Sequence, residues 1–375
     1  MPKNIVLCCD GTANEFAKNR TNVIKLYSTL VHDTPAQVTY YHPGIGTMEP
    51  FGSLSPVTRW FTRVLGMAVG YGLENDIRDA YAFLMETYEA GDSVYLFGFS
   101  RGAFTVRVLA SLIRRYGMIR KGNEPLVPYA IRMMTGIDRA DRKSGIRATE
   151  AKDAYFSLAD EFKRTMSCAQ PRLRFVGVWD TVSSVGWVDN PLHVPDEANN
   201  PDIEIGRHAV SIDERRAFFR THMWQPPKDP AKAHGPQDCM QVWFPGVHCD
   251  VGGGYPECES GLSARALEWM LEEAKAAGLV VDAAKQAEVL AVTRTRTPHE
   301  SLKGFWNIAE LVPKRHWNWT KHEWKHRMNL WRRRTMPEGS LVHDSAYEMG
   351  AEYQKKFPEE AQRVSTRGRG MGSFA

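Results

Sequence analysis

Short runs of consecutive apolar residues alternate along the first half of the chain with segments of helical periodicity. Such runs occupy residues 4–9 and 94–97, residues 37–41 are rich in β-branched and aromatic side chains, and each segment has the length of a buried strand. Between them, residues 22–31 and 73–89 place apolar side chains three and four positions apart, which predicts two amphipathic helices. Because the strands are apolar throughout, we expect a parallel sheet covered by helices on both faces.

The second half continues this pattern with less regularity. Residues 104–170 carry helical spacing and many charges but no apolar run, so they predict helices inserted over the sheet, either as part of a lid or as a plain surface insertion. Two further strands are predicted at residues 173–178 and 240–244, and an amphipathic helix at 262–277. Residues 208–219 predict a short helix with internal ion pairs.

The predicted strand at 94–97 runs directly into the sequence GFSRG at residues 98–102, and a helical segment follows at once. G-x-S-x-G between a strand and a helix places the serine on a strained turn with its Oγ above the sheet, and the glycines avoid collisions with neighbouring elements. We therefore predict Ser100 as a nucleophile in an α/β-hydrolase-like fold. This fold has a mainly parallel sheet, helices on both faces and a helical insertion after the nucleophile helix. A tight βα turn in a doubly wound sheet is the alternative.

A nucleophilic serine needs a histidine that accepts its proton and a carboxylate that orients the histidine. In α/β hydrolases these residues follow in the order serine, acid, histidine, at the carboxyl ends of strands. Asp180 follows one predicted strand and His248 follows another, in that order. An Asx turn or a helix cap is the alternative role for Asp180. His343, after a shorter apolar run, is the alternative base.

The negative oxygen of an acyl-transfer intermediate needs two backbone N–H donors. Arg101, directly after the predicted nucleophile, would supply one of them. The loop after the first strand, with Gly11 and Thr12, would supply the other, unless it is an ordinary turn.

Composition narrows the class of protein. The chain has 375 residues, of which 43% are hydrophobic and 25% charged, as in ordinary globular proteins. The net charge of +4 does not by itself indicate nucleic acid, and no apolar run reaches the length of a membrane span. The six cysteines fit no zinc-ligand spacing, so neither a metal nor another cofactor is expected.

No N-terminal signal segment is recognised, and a cytoplasmic location with reduced thiols is expected. Peripheral attachment to a membrane and export without a signal peptide are the alternatives.

Four segments together carry a resemblance to a known family. They are the strand at 4–9 followed by DGT, GFSRGA at 98–103, VWDTV at 178–182 and GVHCDVGGGY at 246–255. Over residues 4–277 the chain resembles an α/β-hydrolase family that includes phospholipase effectors of type VI secretion, with a Tle1-like catalytic domain. The resemblance implies hydrolysis of lipid esters, phospholipase A-like in the effector branch, with Ser100, Asp180 and His248 matching the catalytic triad.

Residues 305–334 interleave tryptophans with lysines and arginines. This combination suits an anionic membrane interface, and it would also suit stacking on single-stranded nucleic acid. A C-terminal helix that packs its tryptophans against the hydrolase body is the third interpretation. Of the two partners we favour the membrane over nucleic acid.

The chain is accordingly divided into a catalytic domain at residues 1–300, a basic tryptophan-rich segment at 301–366 packed on it, and a disordered tail at 367–375. A serine esterase acting on lipids is the predicted function. A non-catalytic α/β-hydrolase scaffold that binds a partner or nucleic acid is the alternative.

Overall fold

The computed structural model describes most of the chain between residues 2 and 367. The described residues are 2–11, 19–44, 71–141, 147–182, 186–187, 190–191, 194–216, 219–225, 237–291, 297–303, 307, 310–311, 314–318 and 323–367.

Eight strands within these residues form one sheet in which every neighbouring pair is parallel. The described strands are β1 (Asn4–Cys9), β2 (Gln37–His42), β3 (Ser93–Phe99), β4 (Met118–Ile119), β5 (Ser167–Ala169), β6 (Leu173–Trp179), β7 (Gly186–Trp187), β8 (Asn190–Pro191), β9 (Ile203–Ser211), β10 (Asp238–Phe244), β11 (Lys314–Asn318), β12 (Glu323–Arg327), β13 (Leu341–His343) and β14 (Gln362–Val364). The order across the eight-stranded sheet is β14-β13-β10-β9-β6-β3-β1-β2. The mainly parallel sheet predicted from the apolar runs is confirmed.

Helices cover both faces of this sheet. The helices are α1 (Asn22–Thr29), α2 (Tyr71–Thr87), α3 (Arg101–Tyr116), α4 (Val127–Asp141), α5 (Arg147–Met166), α6 (His248–Gly252), α7 (Gly261–Ala276), α8 (Ala283–Leu290), α9 (Asp344–Tyr347) and α10 (Ala351–Gln354). Successive side chains of a strand point to opposite faces, and Val94 and Leu96 of β3 pack on one side with α2 and α3. Tyr95 and Phe97 of the same strand pack on the other side with α1 and α7. This double burial explains why β3 is an almost continuous apolar run.

The helix predicted at residues 208–219 is wrong, because His208 lies in β9, in the interior of the sheet. Polar residues in the middle of this strand hide the apolar pattern. Arg207 is buried with its Nε 2.7 Å from Glu273 Oε2 and its Nη2 2.6 Å from Asp238 Oδ2. His208 accepts a hydrogen bond from the Thr181 backbone N–H. Paired in this way, the two residues can occupy an interior strand.

The inserted region at residues 104–170 is mainly helical, as predicted, with α3, α4 and α5. The expectation that it contains no strand is wrong, since β4 and β5 pair as a small antiparallel sheet. Strands of two and three residues are too short to show a period of two in the sequence.

Beyond residue 300 the described residues form four strands and the short helices α9 and α10. Strands β11 and β12 form an antiparallel hairpin with Trp317 opposite Trp324 in register. Strand β13 pairs with β10, and β14 with β13, so the main sheet continues into this part of the chain. The domain boundary near residue 300 stays a prediction. In the described part of the chain, no helix has both the length and the apolar character needed to cross a membrane.

Candidate active site

Three residues predicted from the sequence lie just beyond the ends of main-sheet strands. Ser100 follows β3, Asp180 follows β6, and His248 begins α6 shortly after β10. Because these strands are parallel, their carboxyl ends share one edge of the sheet, where ligand sites of such folds form.

Ser100 occupies a strained turn between β3 and α3. Its φ is 57°, in the left-handed region that residues with a side chain rarely adopt. A Cβ at Gly98 would lie 2.4 Å from the Gly102 carbonyl oxygen, and one at Gly102 would lie 2.1 Å from the Cys9 carbonyl oxygen. Only glycine therefore fits on either side of the turn. The backbone N–H of Ser100 donates to the Trp179 carbonyl oxygen, which ties the turn to the neighbouring strand.

Asp180 and His248 form a buried hydrogen-bonded pair. His248 Nδ1 lies 2.6 Å from Asp180 Oδ2, and Asp180 is completely buried. Burial alone would raise the pKa of Asp180, but the charge of Arg334 and the hydrogen bond from His248 hold this pKa well below its usual range. Burial lowers the pKa of His248, against the hydrogen bond to Asp180, which raises it. A neutral imidazole that donates from Nδ1 carries its lone pair on Nε2, as a general base requires.

Aromatic side chains connect the serine turn to the imidazole. The ring of Phe99, the residue before Ser100, lies 4.6 Å from the His248 ring between centroids. The Phe219 ring meets the same imidazole edge-on at 4.8 Å. A Cβ at Gly252 would lie 1.9 Å from Phe99 Cε2, so this glycine leaves the space that the Phe99 ring needs.

Two residues that contact Asp180, Ser211 and Arg334, are not predicted from the sequence. The Ser211 backbone N–H and hydroxyl donate to Asp180 Oδ1 at 2.9 and 3.1 Å. Arg334 Nη1 lies 2.5 Å from the same oxygen, and its Nη2 lies 3.1 Å from Oδ2. The sequence grouped Arg334 with a basic surface segment, and nothing in its immediate neighbours distinguishes it from Arg332 and Arg333.

His343, the alternative base, has a different environment. Its Nδ1 lies 2.9 Å from Ser345 Oγ and its Nε2 3.0 Å from Thr366 Oγ1, while its ring stacks on Phe244. It ends β13, which lies beyond β10 on the side away from β3. Between the two histidines, the contact with Asp180 favours His248 as the base.

The predicted oxyanion donors are partly described. The Gly11 backbone N–H already donates to Asp10 Oδ1 at 2.7 Å, and Thr12 lies outside the described residues. Arg101 is the first residue of α3, where helix N–H groups have no partner within the helix. Its side chain is buried near Asp76, and burial lowers the pKa of Arg101 to about 10 and raises that of Asp76 to about 7.

A family model described as the catalytic domain of a Tle1-like phospholipase effector of the type VI secretion system matches residues 3–273. The chain belongs to this family. The resemblance read from the four sequence segments is thereby confirmed. The match includes Ser100, Asp180 and His248, whereas Arg334 lies outside it.

The matches between this chain and individual relatives cover only part of the relatives' length. An uncharacterised protein of Saccharomyces cerevisiae is 38% identical over 232 residues, which are 60% of this chain and 33% of that protein. This chain therefore matches about a third of that relative. Among solved structures, an uncharacterised protein from Pseudomonas aeruginosa has a TM-score of 0.46 at 20% identity, over 78% of this chain and 49% of that one. A Tle1 effector bound to the VgrG spike of the type VI secretion system has a TM-score of 0.36 at 17% identity, over 70% and 52%.

Proposed function

We propose that the chain is a serine hydrolase that cleaves carboxylic esters of lipids in the manner of a phospholipase A. Ser100 is the nucleophile, His248 the general base and Asp180 the residue that orients the base. The observation that carries this proposal is the buried hydrogen bond from His248 Nδ1 to Asp180 Oδ2, at the sheet edge where the Ser100 turn lies.

The reaction follows from these roles. His248 Nε2 takes the proton of Ser100 Oγ as that oxygen attacks the ester carbonyl, and the carbonyl oxygen becomes negative. The backbone N–H of Arg101 donates to this oxyanion, and Gly11 adds a second donor once its N–H leaves Asp10 Oδ1. The alcohol leaves with the proton from His248, and water then hydrolyses the acyl group from Ser100. No step uses a cofactor.

Labelling with a fluorophosphonate, a reagent that reacts with activated serines, tests the nucleophile. The wild-type protein should be labelled and the Ser100→Ala variant should not. The variant should also hydrolyse a phosphatidylcholine about 10⁴-fold more slowly than wild type, or slower still. Release of free fatty acid together with lysophospholipid identifies A-type cleavage, whereas release of the headgroup would contradict it.

The two histidines provide a matched pair for the base. His248→Ala should lose activity nearly as completely as Ser100→Ala, while His343→Ala keeps most of it if the protein remains folded. The reverse result would transfer the role of base to His343. Absence of labelling in folded wild type would favour the non-catalytic scaffold.

Peripheral contact with an anionic membrane forms part of the same proposal. Trp331, Arg332 and Arg333 are exposed in the basic segment, which supports contact with phosphate headgroups. Each basic residue near such a surface contributes about 1 kcal/mol. Sedimentation with phosphatidylserine vesicles should therefore fall with rising salt, and at low salt it should be weaker when Lys321, Lys325, Arg332 and Arg333 are changed to glutamine. Equal sedimentation of both proteins would make the segment structural.

A further inference from the structure

Arg334 binds the carboxylate of Asp180 with both ends of its guanidinium group. Besides the contacts of Nη1 to Oδ1 and of Nη2 to Oδ2, its Nη1 lies 2.7 Å from Ser211 Oγ and 3.2 Å from the Ser211 carbonyl oxygen. Nη2 also donates to the Phe219 carbonyl oxygen. The Arg334 side chain is only 9% exposed. A planar fork that reaches both oxygens restrains the rotation of a carboxylate more than a single donor does.

This fork fixes the atom on which His248 depends. Asp180 Oδ2 accepts both from His248 Nδ1 and from Arg334 Nη2, so a rotation of the carboxylate would disturb both bonds together. Phe219 also links Arg334 to His248, since its carbonyl oxygen accepts a hydrogen bond from Arg334 and its ring packs against the imidazole. Arg334 therefore contacts Asp180 and also holds the backbone of a residue that borders His248.

We propose that Arg334 is a positioning residue of the catalytic site: it holds the Asp180 carboxylate in the orientation in which His248 can act as a base. This inference rests on the proposed function. Arg334 lies beyond residues 3–273, so the family match does not assign it a role.

The charges around His248 determine how the removal of Arg334 should change the pKa of His248. Asp180, whose negative charge Arg334 offsets, raises the pKa of His248. Glu214, whose Oε2 accepts from the His248 backbone N–H, also raises it, and Arg216, which pairs with Glu214, lowers it. Removing Arg334 leaves two carboxylates and one guanidinium near the ring. The protonated imidazole is then favoured, so the activity that depends on neutral His248 should appear at higher pH.

The experiment measures kcat and kcat/KM against pH on a soluble p-nitrophenyl ester, with thermal unfolding of each protein. Arg334→Gln should lower kcat roughly a hundredfold and move the acid limb of the profile upward by about one pH unit. Arg334→Lys keeps the charge, so its acid limb should stay in place, but kcat should still fall about tenfold because an ammonium group lacks the planar fork. Arg172→Gln removes an exposed arginine paired with Glu204 and should change neither quantity.

The outcomes are separable. If Arg334→Gln unfolds at lower temperature but keeps the wild-type kcat and acid limb, Arg334 is only structural and the inference is wrong. If Arg334→Gln does not fold, full kcat in Arg334→Lys would overturn the inference equally. Failure of the proposed function looks different, because wild type itself would then neither hydrolyse the ester nor react at Ser100 with a fluorophosphonate.

Discussion

His299 Nδ1 lies 2.6 Å from Asp250 Oδ1, and the His299 backbone N–H donates to the other oxygen of that carboxylate at 2.9 Å. Asp250 Oδ2 also accepts from the backbone N–H of Val247, the residue before His248. A second histidine–aspartate pair thus supports the turn that carries the proposed base. Burial would lower the pKa of His299, but the hydrogen bond and charge of Asp250 outweigh it and raise this pKa.

We predict that His299→Gln changes how stability depends on pH. A histidine whose pKa is raised on folding stabilises the protein fully below its unfolded value of about 6.5, and this stabilisation is lost as pH rises through the folded value. The His299 side chain is 25% exposed, and screening by the solvent that reaches it limits the effect to at most ~1 kcal/mol. Urea unfolding of wild type and His299→Gln, at pH values below and above the unfolded pKa of about 6.5, measures this difference. A stability difference that does not vary with pH would contradict the prediction.

Gly102→Ala should destabilise the protein by about 3 kcal/mol or more. Its Cβ would lie 2.1 Å from the Cys9 carbonyl oxygen and 2.5 Å from that of Asp10, and neither backbone atom can move without shifting β1. Gly122→Ala is the control, since a Cβ at Gly122 would have no neighbouring atom within 4 Å. Only the positive φ of Gly122 opposes this substitution, at a cost of about 1–2 kcal/mol. Denaturant unfolding compares the two, and equal losses would refute the steric argument.

His208→Gln should flatten the acid dependence of stability. Burial lowers the pKa of His208 to about 3, with the charge of Arg107 adding to this shift. The folded protein therefore excludes a proton that the unfolded chain binds below about pH 6.5, and stability is lost as pH falls towards 3. Between pH 6 and 4 the free energy of unfolding should fall more steeply in wild type than in His208→Gln, by about 1.4 kcal/mol per pH unit. Equal slopes in urea unfolding would contradict this.

The sheet was predictable where burial on both faces demands apolar side chains. Strand β1 was predicted with its exact bounds, and β3 and β6 to within two residues, because apolar residues dominate all three. Strand β9 was missed because Arg207 and His208 find buried partners that only the folded chain brings near. Local pattern cannot show a compensation made by distant residues.

The same limit applies to the candidate site. Ser100, Asp180 and His248 could be proposed because each follows a strand, and parallel strands bring their ends to one edge. Arg334 and His299 follow no strand of the main sheet, and they contact Asp180 and Asp250 from parts of the chain far away in sequence. Their positions depend on the path of the chain after residue 290, which no motif in the sequence predicts.

Because Arg334 follows Asp180 in the chain by so many residues, the candidate site has an order of assembly. A ribosome releases β6 and Asp180 well before it releases Arg334 and strands β13 and β14, which join the sheet beside β10. Until then, the Asp180 carboxylate would be buried without its cation, which is costly. Under the proposed function, the ester hydrolase activity of a nascent chain should therefore stay low until Arg334 has been synthesised, and a hydrolase of lipids would be largely inactive while it is still being made.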